Sequence, residues 1–150
     1  IKLSGGSAMS QTFDVTLPQM GFYLHDCRMS NAFLSDQTLT FEFKDGIYIV
    51  QDKGVMATGF AKLIFSGLEQ TDFNRGYEIQ YLHDDRRECV DFETFQNLDI
   101  GAVDMIYETY NEYHAHFEGI LTKYLDWKTI EINVFFKDLK IFYKAGKILE

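Results

Sequence analysis

The sequence predicts a mainly β protein, built as an antiparallel β-sandwich or barrel. Apolar and polar residues alternate in several short segments, and Gly, Asp and Asn separate those segments. Phe and Tyr are abundant, with fourteen and nine copies in 150 residues, and aromatic side chains favour strands. Period-2 alternation places one face of a strand on the core. Short strands at this spacing are typical of sandwiches and barrels.

Residues 38–50 predict a β-hairpin. Apolar and polar side chains alternate from residue 38 to residue 43. Lys44-Asp45-Gly46 is the predicted turn, because Asp and Gly tolerate the left-handed conformations of a tight turn. Ile47 to Val50 then supply a return strand of β-branched and aromatic residues.

The same pattern predicts strands elsewhere, at residues 12–17, 60–65, 77–82, 89–95, 129–136 and 139–143. The 103–124 region fits two patterns. Its apolar residues recur at helical spacing, but its Tyr, Thr and His content favours strands. We predict two strands broken near Asn111, with one helix in the 103–124 region as the alternative.

Composition predicts a single globular domain over residues 9–150. Hydrophobic content of 46% and charged content of 25% are ordinary for a globular chain. Residues 1–8 have the composition of an expression remnant, and Met9 is a plausible native start. No long apolar run and no signal peptide are visible, so we expect a cytoplasmic location and free thiols at Cys27 and Cys89.

The negative charge of the chain is concentrated in one stretch. Glu88 to Thr122 contains eight acidic residues and no Lys or Arg, in a chain of net charge −9. Like charges held close together raise the free energy of the folded state, and such clusters often bind something positive. We therefore expect a basic protein partner. Nucleic acid and membrane are not expected as partners, because binding phosphate or anionic lipid needs clustered Lys and Arg.

The segment from Glu112 to Glu118 is the part of the sequence that resembles a metal site. On a strand, His114 and His116 would project from one face and could share a Zn²⁺ ion. A solvated sheet face explains the pair more simply, because His-x-His alone is common. The sequence therefore predicts no metal and no other cofactor, and a metal-dependent enzyme using His114 and His116 stays an alternative. No nucleophile elbow, phosphate-binding loop or Cys-x-x-Cys motif occurs, so no catalytic residue is predicted and enzymatic activity is not favoured.

A family resemblance rests on three segments. These are Leu24-His25-Asp26, the run from Asp36 to Gly46, and the later Trp127-x-x-Ile130-x-Ile132. Together they resemble small uncharacterised β-rich domains of bacteria, some of which act as immunity proteins that bind and block a toxin. The resemblance covers about half of the chain. It implies a binding protein without catalytic turnover and carries no site residue across.

These observations favour an acidic cytoplasmic protein-binding module. In combination with the resemblance, they suggest a protein that neutralises a basic, nucleic-acid-targeting toxin through complementary charge. The predicted partner-binding residues are Asp104, Glu108, Tyr110, Glu112, His114, His116 and Glu118. If this region is extended, the later acids should share a face with Tyr110 and the two histidines. The alternative is a small-ligand-binding barrel or sandwich, with a cavity lined by the many aromatic residues.

Overall fold

The computed structural model describes residues 8–12, 21–70, 75–97, 103–111, 113–121 and 128–149. Within these ranges the chain forms strands and one short helix, and the strands make three antiparallel sheets that pack together. No sheet in the described part of the chain closes on itself. The predicted mainly β antiparallel fold is therefore confirmed, as a sandwich and not as a barrel.

The first sheet has five strands. In spatial order they are β1 (Ala8–Thr12), β14 (Asp138–Lys144), β8 (Ala61–Ser66), β5 (Thr38–Phe43) and β4 (Asn31–Ser35). In β5 and β8, buried residues alternate with half-buried ones, as period-2 alternation predicts. The strands predicted at 60–65 and 139–143 are confirmed as β8 and β14. The strand predicted at 12–17 lies, beyond Thr12, outside the described residues.

The second sheet has six strands. Their spatial order is β10 (Arg87–Cys89), β9 (Tyr77–Leu82), β13 (Lys128–Phe135), β12 (His114–Leu121), β11 (Val103–Asn111) and β3 (Arg28–Met29). The strands predicted at 77–82 and 129–136 are confirmed as β9 and β13. The 103–124 region contains two strands that end and begin on either side of residues 112–113, so the helical alternative for this region is wrong.

The third sheet has four short strands. Its strand pairing shows that the predicted 38–50 hairpin is wrong. Its order is β15 (Lys147–Leu149), β7 (Gly54–Ala57), β6 (Tyr48–Gln51) and β2 (Phe22–Tyr23). Both strands of the predicted 38–50 hairpin exist, but β5 and β6 belong to different sheets. The turn between them is real: Gly46 has φ +91°, and its N–H donates to the Phe43 carbonyl at 3.0 Å. A Cβ on Gly46 would lie 2.1 Å from the Thr58 carbonyl oxygen, so the chain crosses between sheets where only glycine fits.

Helix α1 (Phe92–Asn97) replaces most of the strand predicted at 89–95. Asp91 caps it, because one carboxylate oxygen accepts the Thr94 N–H at 2.7 Å, and this hydrogen bond lowers the pKa of Asp91. Phe92 and Phe95 are buried on one face of the helix, at a helical spacing of three residues. In the described part of the chain, no helix has the length and apolar character needed to cross a membrane.

The core lies between the five-stranded and six-stranded sheets. Phe41 and Phe65 of the first sheet meet Phe117 of the second edge to face, with ring centroids 5.7 and 6.0 Å apart. All three rings are almost completely buried, and each contributes roughly 1.5–3 kcal/mol by leaving water. The four-stranded sheet joins this core through Phe22, whose ring lies 5.5 Å from that of Tyr110. Aromatic and aliphatic side chains of the described residues thus pack together in this interior.

Candidate functional site

The outer face of the six-stranded sheet is organised by the hairpin of β11 and β12. Two residues separate these strands, and Tyr113 takes a φ of +64°, the left-handed conformation that tight hairpin connections use. Asn111 pairs with His114, and Thr109 pairs with His116. Residues directly opposite each other in an antiparallel pair point to the same face. Even-numbered residues at the start of β12 therefore share a face with odd-numbered residues at the end of β11.

This register divides the predicted partner-binding residues between two faces. Glu108 lies opposite Phe117, and Tyr110 lies opposite Ala115. Both Phe117 and Ala115 are fully buried, so Glu108 and Tyr110 point towards the interior, away from the face that carries the two histidines. The expectation that Glu108 and Tyr110 share one surface with the two histidines is wrong, whereas Glu118 does share the face of the histidines. The two-residue connection is the reason, because it pairs even positions with odd ones.

Asp104 lies on the outer face but is already paired. The register shifts by one residue between Met105 and Tyr107, a β-bulge of the kind that re-aims side chains. Arg28 of β3 binds Asp104, with 2.8 Å between Nε and Oδ1, and this bond raises the pKa of Arg28. Asp104 is therefore not an uncompensated charge. Glu112, another predicted site residue, lies outside the described residues.

Glu108 is a half-buried carboxyl group that holds two hydrogen bonds. The Leu24 N–H donates to Oε2 at 2.6 Å, and the Tyr110 hydroxyl donates to Oε1 at 3.2 Å. Burial outweighs both bonds and raises the pKa of Glu108 to about 7. Burial also raises the pKa of Tyr110 well above its ordinary value and that of the Cys27 thiol to about 12. These groups belong to the interior, and Cys27 is not activated as a nucleophile.

Both cysteines are free, as the sequence predicts, but they differ in exposure. Cys27 is buried and Cys89 is exposed. The Gln80 amide donates a hydrogen bond to the Cys89 sulfur at 3.8 Å. Cys89 is therefore the thiol that solvent and reagents can reach.

A set of side chains from five neighbouring strands forms what we call the polar sheet face. It comprises Tyr107, His114, His116, Glu118, Glu131, Asn133, Glu78, Gln80 and Arg87, placed on one face by the strand pairings. Three predicted residues belong to it, the two histidines and Glu118. Sequence reasoning missed Glu131 and Asn133. Their signal was available, because they alternate with the buried Ile130 and Ile132 in a predicted strand.

The two histidines of the polar sheet face share one acceptor. The side-chain oxygen of Asn133 lies 2.9 Å from His114 Nε2 and 2.9 Å from His116 Nδ1. An amide oxygen only accepts hydrogen bonds, so each of these ring nitrogens donates to Asn133 in the tautomer that carries a proton there. His114 Nε2 is therefore engaged by Asn133. The structure places both histidines on one face, as predicted for a strand, but it directs them to Asn133.

Two carboxylates lie next to His116 on the polar sheet face. Glu118 and Glu131 are directly opposite each other on β12 and β13, and Arg87 Nη1 binds Glu131. His116 Nε2 lies 3.5 Å from a Glu118 oxygen. One donor atom from each of His116, Glu118 and Glu131 lies within 4.8 Å of the other two. This cluster is the group of described residues best placed to hold a cation.

A cavity of about 430 Å³ lies beside the turns that follow Leu24 and Phe43. Its polar lining residues include Asp26, Arg28, Asp45, Tyr48 and Asp104. Arg28 and Asp104 bind each other, so these two charges of the cavity lining neutralise each other. Between the two large sheets, the described aromatic and aliphatic side chains pack against one another. The small-ligand alternative, which needs a chamber inside the sandwich, gains no support from this packing.

Comparison of the chain with protein families, with curated proteins and with solved structures found no match.

Proposed function

We propose that this protein is an acidic cytoplasmic binding module whose polar sheet face engages a basic segment of a partner protein. The observation that carries the proposal is the charge of this face. Three carboxylates, Glu78, Glu118 and Glu131, and one guanidinium, Arg87, give the described residues of the polar sheet face a formal charge of −2 when its histidines are neutral. Complementary charge steers a basic partner and suppresses wrong ones.

An aromatic side chain beside the carboxylates supports the same proposal. Tyr107 is 50% exposed, and its ring lies 6.4 Å from the ring of His116. Tyrosine is enriched at binding hot spots because it adds apolar contact and a hydroxyl at small entropic cost. Tyr107 is therefore the anchor that we assign to the interface, in place of the inward-facing Tyr110.

Neutralisation of a toxin is the form of binding that the charge fits best. Proteins that act on nucleic acid bind phosphate with clustered Lys and Arg, and an acidic sheet face can occupy such a cleft. The exposed, free thiol of Cys89 suits a reducing compartment such as the cytoplasm. The proposed activity is thus stoichiometric inhibition without turnover.

The test starts with capture of partners from the native host on immobilised protein, followed by mass spectrometry. The dissociation constant of each captured protein is then measured at about 50 and 500 mM salt, since salt screens exposed charges. The variant Glu78→Lys with Glu118→Lys should weaken binding by about tenfold or more and reduce the salt dependence.

Two controls separate the polar sheet face from general acidity. Glu93→Lys with Asp138→Lys makes the same charge change at exposed positions on α1 and β14, and should leave the affinity near that of the wild type. Glu108→Gln tests the inward-facing carboxyl and should also leave the affinity unchanged. An affinity that does not change with salt concentration would contradict the proposal. An equal loss of affinity in the control double variant would also contradict it.

A further inference from the structure

We propose that His116, Glu118 and Glu131 form a binding site for a divalent transition-metal cation, with Zn²⁺ as the reference ion. This site goes beyond partner binding, and it uses Glu118 and Glu131, two of the carboxylates that carry the proposed charge of the polar sheet face. The three donor atoms lie within 4.8 Å of one another. Ligands around Zn²⁺ at about 2.1 Å in tetrahedral geometry are about 3.4 Å apart. Small rotations of the two glutamate side chains therefore bring the donors into coordination distance.

The backbone holds the three ligands in a fixed arrangement. Glu118 and Glu131 are directly paired across β12 and β13, and His116 precedes Glu118 by two residues on the same face. β12 lies between β11 and β13, so it is held by hydrogen bonds on both edges. Sites built on strands inside a sheet are positioned more precisely than sites on loops. The ligands thus need no rearrangement of the main chain to bind an ion.

A residue outside the ligand set favours the tautomer of His116 that can bind a metal. Asn133 Oδ1 lies 2.9 Å from His116 Nδ1 and can accept a hydrogen bond from it, and in that tautomer of the neutral ring Nε2 carries no proton. Nε2 is also the nitrogen that faces Glu118, at 3.5 Å. The Asn133 amide nitrogen lies 3.5 Å from Glu78 Oε1, a contact that agrees with this direction of the amide. Such an outer hydrogen bond orients metal-binding histidines and selects their tautomer.

The electrostatics of the pair Glu118 and Glu131 also favour a cation. Like charges directly opposite each other on neighbouring strands destabilise a sheet. Arg87 compensates part of this repulsion by binding Glu131, but its side chain is 58% exposed and can turn into solvent. Glu131 is only 14% exposed, so a bound dication would interact with it at reduced screening. Arg87 is therefore a competitor of the metal at this site.

The donor set indicates which ions bind. One imidazole and two carboxylates suit Zn²⁺, Mn²⁺ and Fe²⁺, and the absence of a thiolate from the set disfavours soft ions such as Cu⁺. By the usual order of affinities, Zn²⁺ should bind more tightly than Mn²⁺. Ca²⁺ takes six to eight oxygen ligands and should bind more weakly than either. Three protein ligands leave at least one position on the ion for water.

The experiment is isothermal titration of tag-free, EDTA-treated and desalted protein with zinc chloride. A Cys89→Ser background removes the exposed thiol as a competing ligand. We expect one Zn²⁺ per chain and at least a tenfold loss of affinity in His116→Gln and in the double variant Glu118→Gln with Glu131→Gln. His114→Gln is the matched control, because His114 lies on the same strand and face and binds the same Asn133. Its affinity should equal that of the background protein.

Two further measurements keep the proposal testable if a ligand variant fails to fold. Asn133→Leu should weaken Zn²⁺ binding by about 10–100-fold, whereas Arg87→Gln should tighten it by removing the competing cation. In the background protein, Zn²⁺ should shift the His116 Nε2 resonance in a nitrogen-detected histidine spectrum and leave that of His114 in place. Three results would overturn the proposal: no Zn²⁺ binding, binding that survives loss of both glutamates, or equal losses in His114→Gln and His116→Gln.

Discussion

Replacing Glu108 by glutamine should change how the stability of the protein depends on pH. Burial raises the pKa of this carboxyl group to about 7 in the folded protein from an ordinary value of 4.5. The folded state therefore binds the proton more tightly than the unfolded state does. The stabilisation from this group is fully present below pH 4.5 and is lost as pH rises through 7. Glutamine keeps an oxygen that can accept the Leu24 N–H and carries no charge at any pH.

The size of the effect follows from the two pKa values. A rise from 4.5 to about 7 corresponds to at most about 3 kcal/mol, of which about 2–3 kcal/mol falls between pH 5 and pH 8. Over that interval the free energy of unfolding of the wild type should fall by this amount relative to Glu108→Gln. The difference between the two proteins isolates Glu108, because their other titrating groups are the same.

Urea denaturation followed by circular dichroism at half-unit steps of pH measures this difference. Glu93→Gln is the control, because it removes an exposed carboxylate on α1 and keeps Glu108, so its profile should follow that of the wild type. Parallel profiles for the wild type and Glu108→Gln from pH 5 to pH 8 would refute the argument. They would mean that the hydrogen bonds from Leu24 and Tyr110 offset the cost of burying the charge.

Two predictions concern packing and thiol access. Phe117→Ala removes a fully buried ring that touches Phe41, Phe65 and Tyr110, and should lower the free energy of unfolding by about 3–5 kcal/mol in urea titrations. A loss below about 1 kcal/mol would contradict this view of the core. A thiol reagent in native buffer should label Cys89, which is exposed, and leave Cys27, which is buried. Equal labelling rates would show that the turn around Cys27 opens readily.

Much of the strand content could be predicted because alternation is a local property. Residues 77–82 and 129–136 show it, and both are strands in the structure. The membership of strands in sheets could not be predicted in the same way. Residues 38–50 have the composition of a hairpin, yet β5 and β6 pair with other strands. The turn at Gly46 is compatible with a hairpin or with a crossing, and only long-range packing decides between them.

Helix α1 was missed because two local signals compete there. Phe92 and Phe95 favour a strand by propensity, but Asp91 followed by Thr94 is a helix-capping arrangement. Six residues are too few for helical periodicity to stand out against the strand pattern. Both Phe rings are buried, so tertiary packing stabilises the helix in addition to the Asp91 cap.

The placement of the candidate residues on one sheet face was predicted in part, and the misplaced part has one cause. His114, His116 and Glu118 lie together because they alternate within one strand. Glu108 and Tyr110 lie on the opposite face because of the register in which β11 pairs with β12. Glu131 contributes from a different strand, and no spacing within a sequence reveals which strand will lie beside β12. The alternation of apolar and polar residues predicts which face of a strand a side chain occupies, whereas the pairing of strands decides which side chains become neighbours.

The pairing of β11 with β12 also limits how far these two strands can slide past each other. A slip of that pairing by one residue would turn β12 over, exposing Phe117 and burying His116. A residue added to the connection would not force such a slip, because hairpin loops of three residues keep the same strand pairing. Tyr113 holds a φ of +64° in the present two-residue connection, and a glycine there would adopt that conformation without strain. Changes in the loop should therefore be tolerated better than changes that shift the strand register.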